Sequence, residues 1–157
     1  MLVVMTVYSR IFSLANRITL VAWLALLVSL FLGSYRDQIH QVLFTLVIFG
    51  LSVLYFYLIF LGKRHDLEGE KPKGHFKTLS GMMSLFKAPR AALAGWIHYL
   101  AFDLLVGILI SQHALEHGIN IWILIPILAF TLMLAPAGLM FYFLVFFIDQ
   151  GHWLLQL

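Results

Sequence analysis

His98, Tyr99 and Asp103 are three proton-exchanging side chains within one stretch that is otherwise hydrophobic enough to cross a membrane. A carboxyl group in hydrocarbon is costly unless it is protonated, paired or hydrated, so an acidic residue there is first interpreted as functional. On a helix Tyr99 and Asp103 are one turn apart, and the phenol can hydrogen-bond the carboxyl group. His98 lies about 140° around the axis from Asp103, so we expect the two side chains to bracket an elongated ligand or to meet different neighbouring helices.

Each of these residues also has a structural interpretation. A protonated Asp103 with internal hydrogen bonds would fix helix packing, and a neutral His98 could bond a facing hydroxyl such as that of Tyr55. An isolated histidine can also ligate the metal of a tetrapyrrole. The small residues nearby, which permit close approach of helices, are Ala94, Gly95, Ala101 and Gly107.

The composition excludes a soluble domain, because 62% of the residues are hydrophobic, 11% are charged and the mean hydropathy is +0.98. A chain of 157 residues leaves room for about four membrane helices of about 20 residues each. We therefore expect a single all-α membrane domain without a separate soluble part. The absence of cysteine excludes disulfides and thiolate metal sites.

Four apolar runs predict the membrane spans, and the second run is followed by a polar loop at 63–88. The predicted spans are residues 11–33, 41–62, 89–112 and 121–148. The fourth is long enough to kink, and Pro136 with Gly138 supplies the cause. The predicted fold class is thus an all-α, four-helix membrane bundle with both termini on the cytoplasmic face.

A short interfacial helix is predicted just before the third span. Its apolar side chains recur at helical spacing on one side, at Leu79, Met82, Met83 and Phe86. Pro89 then begins the third helix, where its missing N–H costs nothing.

The basic residues predict the orientation rather than a nucleic-acid partner. Of the ten Lys and Arg residues, Arg10 and Arg17 lie before the apolar run that starts at Ile18, seven lie from Lys63 to Arg90, and only Arg36 lies elsewhere. An even number of spans separates the two basic regions, so the positive-inside rule places both on the cytoplasmic face. With no transit peptide visible, we expect a multi-pass protein of a bacterial cytoplasmic membrane.

His113 and His117 have the i, i+4 spacing that suits two imidazole ligands on a helix, with Glu116 between them. However, Gly118 follows at once, and no glutamate directly follows His113 as a zinc-protease signature requires. The alternative is a solvated loop with a capped helix end. We therefore predict no metal site.

The fourth run is rich in aromatic residues, including Phe141 and Tyr142. Most such residues in a span face lipid. Beside a proline kink they would also form a wall for a long apolar ligand such as an isoprenoid.

Three segments together resemble a known family: Gly95–Gly107 with its Trp-x-His-x-Leu-Ala-Phe-Asp core, Gly81–Phe86, and Ala135–Tyr142. The chain is similar, from His75 to Tyr142, to small membrane proteins related to the plant abscisic-acid-deficient protein required for neoxanthin synthesis. The resemblance implies conversion of an epoxy-carotenoid to an allenic alcohol. This reaction is an isomerisation, so no redox cofactor is expected.

Such chemistry needs an acid kept protonated in a dry site, for which Asp103 is the candidate, and a base, for which His98 is the candidate. Tyr99 is the third catalytic candidate. The residues expected to contact the substrate are Trp96, Phe102, Tyr55, Phe141 and Tyr142. The expected partners are the lipid bilayer and an apolar isoprenoid or pigment. The alternative is a non-catalytic small subunit that binds pigment or lipid within a larger membrane complex.

Overall fold

The computed structural model describes residues 2–66 and 74–151, and every regular element within these ranges is a helix. Three helical segments are long and apolar enough to span a membrane: Val7–Ser29, Gly33–Leu61 and Pro89–Glu116. The all-helical class and the membrane character predicted from the sequence are thus confirmed. Residues 67–73 of the predicted cytoplasmic loop lie outside the described residues.

The described residues divide into two compact units. The first unit contains those within Met1–Thr19 and Phe49–Ala101, and the second contains those within Leu20–Ile48 and Phe102–Leu157.

The first two membrane segments differ in regularity. Helix α1 runs over Leu2–Ser29, a stretch without glycine or proline. The second segment combines several helix types: a 3₁₀ turn at Gly33–Tyr35, α2 at Arg36–Val42, a π-helix at Leu43–Ile48, α3 at Phe49–Phe56 and a second π-helix at Tyr57–Leu61.

The second segment begins at Gly33, eight residues before the predicted start at position 41. The early residues are held in the second unit by a buried polar contact, in which His40 Nε2 lies 3.0 Å from Ser29 Oγ. This contact gives the buried His40 ring a hydrogen-bond partner in an apolar environment, and the residues assigned to an interhelical loop are helical instead.

The helices that precede and form the third span agree with the prediction. Thr78 caps α4 (Leu79–Leu85) by accepting a hydrogen bond from the Gly81 N–H at 3.1 Å. Helix α5 begins at Pro89 and extends to Glu116. It therefore continues beyond the predicted end at position 112, so His113 and Glu116 are helical and do not lie in a solvated loop.

The fourth predicted span is two helices, so the prediction of one continuous helix over 121–148 is wrong. Helix α6 (Ile121–Met133) ends at Leu134, whose φ of −154° and ψ of 82° are not helical, and α7 (Ala135–Gln150) follows. Pro136 has no N–H with which to continue the α6 hydrogen bonds, but it is well suited to the first turn of a new helix. The predicted kink is therefore a complete break.

The second unit has one main hydrophobic core, to which α5, α6 and α7 contribute. Trp23 and Leu26 of α1 pack close to Gly107, where a Cβ would lie 2.4 Å from the indole ring. The fully buried residues of this core include Leu104, Ile110, Leu124, Leu128, Tyr142 and Phe146.

Candidate functional site

A groove of about 470 Å³ lies in the first unit beside the first half of α5. Most of its lining is aromatic or aliphatic, and we call it the His98 groove. It is lined by Tyr55, Ile59, Phe60, Lys63, Phe76, Leu85, Phe86, Arg90, Ala91, Ala94, Gly95 and His98. Its size and apolar lining are typical of a site for a small apolar ligand.

Small residues on α5 give the His98 groove its depth. Ala91, Ala94 and Gly95 line it, and none of them projects a long side chain into the space. A Cβ at Gly95 would lie 2.7 Å from Cε1 of Phe86, so the glycine allows the phenyl ring to lie directly against the helix. The groove is thus formed by aromatic walls over a floor of small residues.

His98 is an exposed imidazole in this groove. Its ring centroid lies 5.6 Å from that of Tyr55, at an interplanar angle of 47°. Tyr55 is the facing group expected from the sequence, and its ring lies beside that of His98. An imidazole in this groove can accept a hydrogen bond from a bound molecule.

Trp96 and Tyr99 lie on a different side of α5 in the first unit. Their rings stack with centroids 5.2 Å apart, and the Trp96 indole N–H donates to Oδ1 of Asn16 at 3.2 Å. Trp96 also packs against Phe12. It lines a second hollow of about 390 Å³, the Trp96 cavity, with Tyr8, Ser9, Phe12, Pro89, Ala92 and Leu93.

Asp103 belongs to the second unit, where it is 5% exposed. It lines neither the His98 groove nor the Trp96 cavity. Its neighbour Phe102 is 53% exposed. The proposed acid and the proposed base are therefore not side chains of one described cavity.

A family model described as ABA4-like, ABA DEFICIENT 4-like, matches residues 10–142. The chain belongs to the ABA DEFICIENT 4-like family. The match confirms the resemblance found in the sequence between His75 and Tyr142, and it extends this resemblance through the first two membrane segments. No curated protein and no solved structure matches the chain.

A buried ion pair in this ABA DEFICIENT 4-like chain borders the His98 groove, and sequence reasoning missed it. Arg90 Nε donates to Oδ1 and Oδ2 of Asp66 at 2.8 and 3.0 Å, and both side chains are almost fully buried. Arg90 Nη1 donates to the Leu58 carbonyl at 2.6 Å. The arginine therefore satisfies a carbonyl at the end of the second membrane segment, where the helix itself supplies no partner. The sequence signal for this ion pair is a charged residue, Arg90, at the start of an apolar span. The positive-inside rule uses Arg90 only to orient the protein in the membrane.

The second unit of this ABA DEFICIENT 4-like chain contains four ring side chains that pack together. We call them the His113 cluster: His113, His117, Tyr142 and Phe146. His113 is 5% exposed, and its Nδ1 lies 2.5 Å from the hydroxyl of Tyr142. The His117 ring stacks on that of His113 at 4.1 Å. Tyr142 thus contacts a histidine, while Phe141 packs on Phe130 at 5.0 Å. Within the described residues, no group of three or more His, Asp or Glu side chains is arranged to hold a metal ion.

Proposed function

We propose that this protein binds one end of a carotenoid or related isoprenoid in the His98 groove, and that His98 acts on the bound molecule as a general base. The observation that supports this proposal best is the position of an exposed imidazole beside a phenol ring, in a groove whose other lining residues are apolar except Lys63 and Arg90. Membership of the ABA DEFICIENT 4-like family agrees with the carotenoid chemistry that the sequence resemblance implies.

The groove fits the end group of such a ligand rather than its whole length. A volume of about 470 Å³ is within the usual range for small-molecule sites, and a long polyene exceeds it. The remainder of the ligand lies along the lipid-facing helix surface, where apolar side chains such as Phe56 and Phe60 are exposed. Shape and hydrophobicity therefore select an elongated apolar molecule.

The proposed reaction converts an epoxide into an allenic alcohol. His98 takes a proton from the carbon beside the epoxide-bearing ring, the electron pair of that C–H bond forms the new double bond, and the ring carbon–oxygen bond of the epoxide opens. The oxygen then gains a proton, so the product is an isomer of the substrate and no electrons are exchanged.

The proton donor is the second half of this mechanism. Asp103 stays the donor predicted from the sequence, and Tyr99 stays the third predicted catalytic residue. Tyr55 is the alternative donor, because its phenol ring lies 5.6 Å from His98 in the groove. Trp96, Phe102, Phe141 and Tyr142 stay predicted substrate contacts, although none of them lines the His98 groove.

The positive-inside rule supports a cytoplasmic location for the N-terminal region and for the loop at 63–88. Lys63 and Arg90 line the His98 groove, so the groove lies toward this basic side of the membrane. The bacterial cytoplasmic membrane stays the predicted location, and a single membrane domain stays the predicted organisation.

The experiment is to express the wild type, His98→Ala and His75→Ala in a host that makes an epoxy-carotenoid, and to compare pigments at equal protein levels. His75 is the matched control, because it is an exposed histidine that does not line the groove. We expect His98→Ala to lose the product and His75→Ala to retain it. An unchanged pigment profile in His98→Ala would reject the role of this histidine.

A non-catalytic pigment- or lipid-binding subunit is the second candidate function. The observation that favours it is the burial of Asp103 outside the His98 groove, which separates the predicted acid from the predicted base. The same expression host distinguishes the two functions when the wild-type protein is also purified from it. A wild-type protein that retains a polyene through purification, yet changes no pigment in the host, would support the non-catalytic subunit.

A further inference from the structure

We infer that α6 and α7 form a re-entrant hairpin, which enters the membrane and leaves it again on the face where α5 ends. The inference concerns membrane topology and is independent of the proposed function. It rests on contacts within the second unit.

The first observation is that α7 folds back on α6 at once. Gly138 lies so close to Thr131 that a Cβ would come within 2.7 Å of the Thr131 backbone. The rings of Phe130 and Phe141 lie 5.0 Å apart, whereas eleven residues of a continuous helix would separate them by about 16 Å. Two helices that continued in one direction could not make both contacts.

The second observation is where α7 ends. Gln150 Nε2 donates to the backbone carbonyl of His117 at 3.4 Å, so the last residue of α7 lies beside the end of α5. If α7 continued away from α6, its end would be about 40 Å from the start of α6, from the rise of 1.5 Å per residue. Tyr142 reaches His113 from the middle of α7, as a returning helix requires.

The third observation is that the hairpin belongs in hydrocarbon but is too short to cross it. No charged side chain occurs from Ile121 to Ile148. Helices of 13 and 16 residues reach about 20 and 24 Å, less than the 30 Å thickness of the hydrocarbon core. The N–H groups of Leu134 and Gly138 donate to backbone carbonyls at 2.8 and 3.0 Å. The turn is therefore compatible with a position inside the bilayer.

The consequence is a chain that crosses the membrane three times. The even number of spans predicted from the sequence placed both termini on one face. With a re-entrant hairpin, the end of α7 instead lies on the face opposite the basic loop at 63–88. The end of α7 and the α5–α6 connection then share one aqueous compartment.

The chain contains no cysteine, so single introduced cysteines report topology directly. We choose the exposed positions Lys87, Glu116 and Asp149 and treat intact cells with a membrane-impermeant maleimide, before and after permeabilisation. Asp149→Cys should label with the same sidedness as Glu116→Cys and opposite to Lys87→Cys. Labelling of Asp149→Cys with the sidedness of Lys87→Cys would overturn the inference, as would one sidedness for all three.

A second measurement tests the fold-back itself without reference to either face. The double variant Phe130→Cys/Phe141→Cys should be joined by a short bifunctional methanethiosulfonate, as detected by mass spectrometry. The matched control is Val7→Cys/Ile18→Cys, which has the same separation along the continuous helix α1 and should not be joined. Failure of the first pair to cross-link, with both cysteines reactive, contradicts the hairpin.

Discussion

The His98 groove and the His113 cluster show how the same residue types serve different ends in two regions of one chain. Each region places a histidine beside a tyrosine. In the groove the His98 side chain is exposed and the rings border about 470 Å³ of space, whereas His113 and Tyr142 are buried against each other at 2.5 Å. We propose the open pair as part of the ligand site, whereas the closed pair packs within the core of the second unit. Exposure and free space, rather than residue identity, thus locate the candidate site.

The largest expected effect comes from breaking the ion pair that borders the open region. In Arg90→Met the buried Asp66 carboxylate loses its charged partner and keeps the Tyr8 hydroxyl at 3.4 Å, and we expect a loss of about 3–5 kcal/mol of stability. Thermal unfolding in detergent measures this loss, and Lys87→Met is the exposed control.

The double variant Arg90→Met/Asp66→Leu should recover much of that stability, because no unpaired buried charge remains. A midpoint for Arg90→Met equal to that of Lys87→Met would show that the ion pair does not hold this region together.

An intermediate effect comes from removing one hydroxyl from each of the two regions. Tyr142→Phe takes away the partner of His113 Nδ1 in the buried cluster, and we expect a cost of about 1–3 kcal/mol. Tyr55→Phe, in the open groove, should change stability by less than about 0.5 kcal/mol. Equal unfolding midpoints for the two variants would remove the distinction between an open and a closed pair.

The smallest expected effect concerns the floor of the groove. Gly95→Ala places a methyl group 2.7 Å from the Phe86 ring, which must shift, and we expect a loss of about 1 kcal/mol. Gly50→Ala meets no atom within 4 Å and should be neutral or stabilising by up to about 1 kcal/mol. Opposite shifts of the two unfolding midpoints would support the packing described; a stabilised Gly95→Ala would contradict it.

The sequence predicted what depends on local composition. Long apolar runs specify membrane helices, Pro89 marks where the third begins, and apolar spacing marks α4, so these elements were predictable. Pro136 also marked the break before α7, but a proline alone does not tell a kink from a complete reversal. That distinction depends on Gly138 packing against Thr131, a tertiary contact.

The candidate site was only partly predictable, because a helical repeat gives the angle between residues but not the neighbour that each one meets. The angle between His98 and Asp103 correctly indicated that they face different surroundings. It did not indicate that His98 would border a groove and Asp103 would be buried. The pairing of Arg90 with Asp66 joins residues 24 positions apart, across a polar loop, and has no periodic signal.

The most direct test of the central claim is the amount of polyene retained per protein after purification from a carotenoid-producing host in mild detergent. It is read by absorption spectroscopy for the wild type, Ala91→Phe and Ala92→Phe. Ala91 lines the His98 groove and Ala92 lines the Trp96 cavity, so the same substitution fills one space or the other. We predict that Ala91→Phe lowers retention about tenfold, equivalent to 1.4 kcal/mol, and that Ala92→Phe leaves it unchanged. Full retention by Ala91→Phe, or loss only in Ala92→Phe, would contradict the assignment of the ligand to the His98 groove.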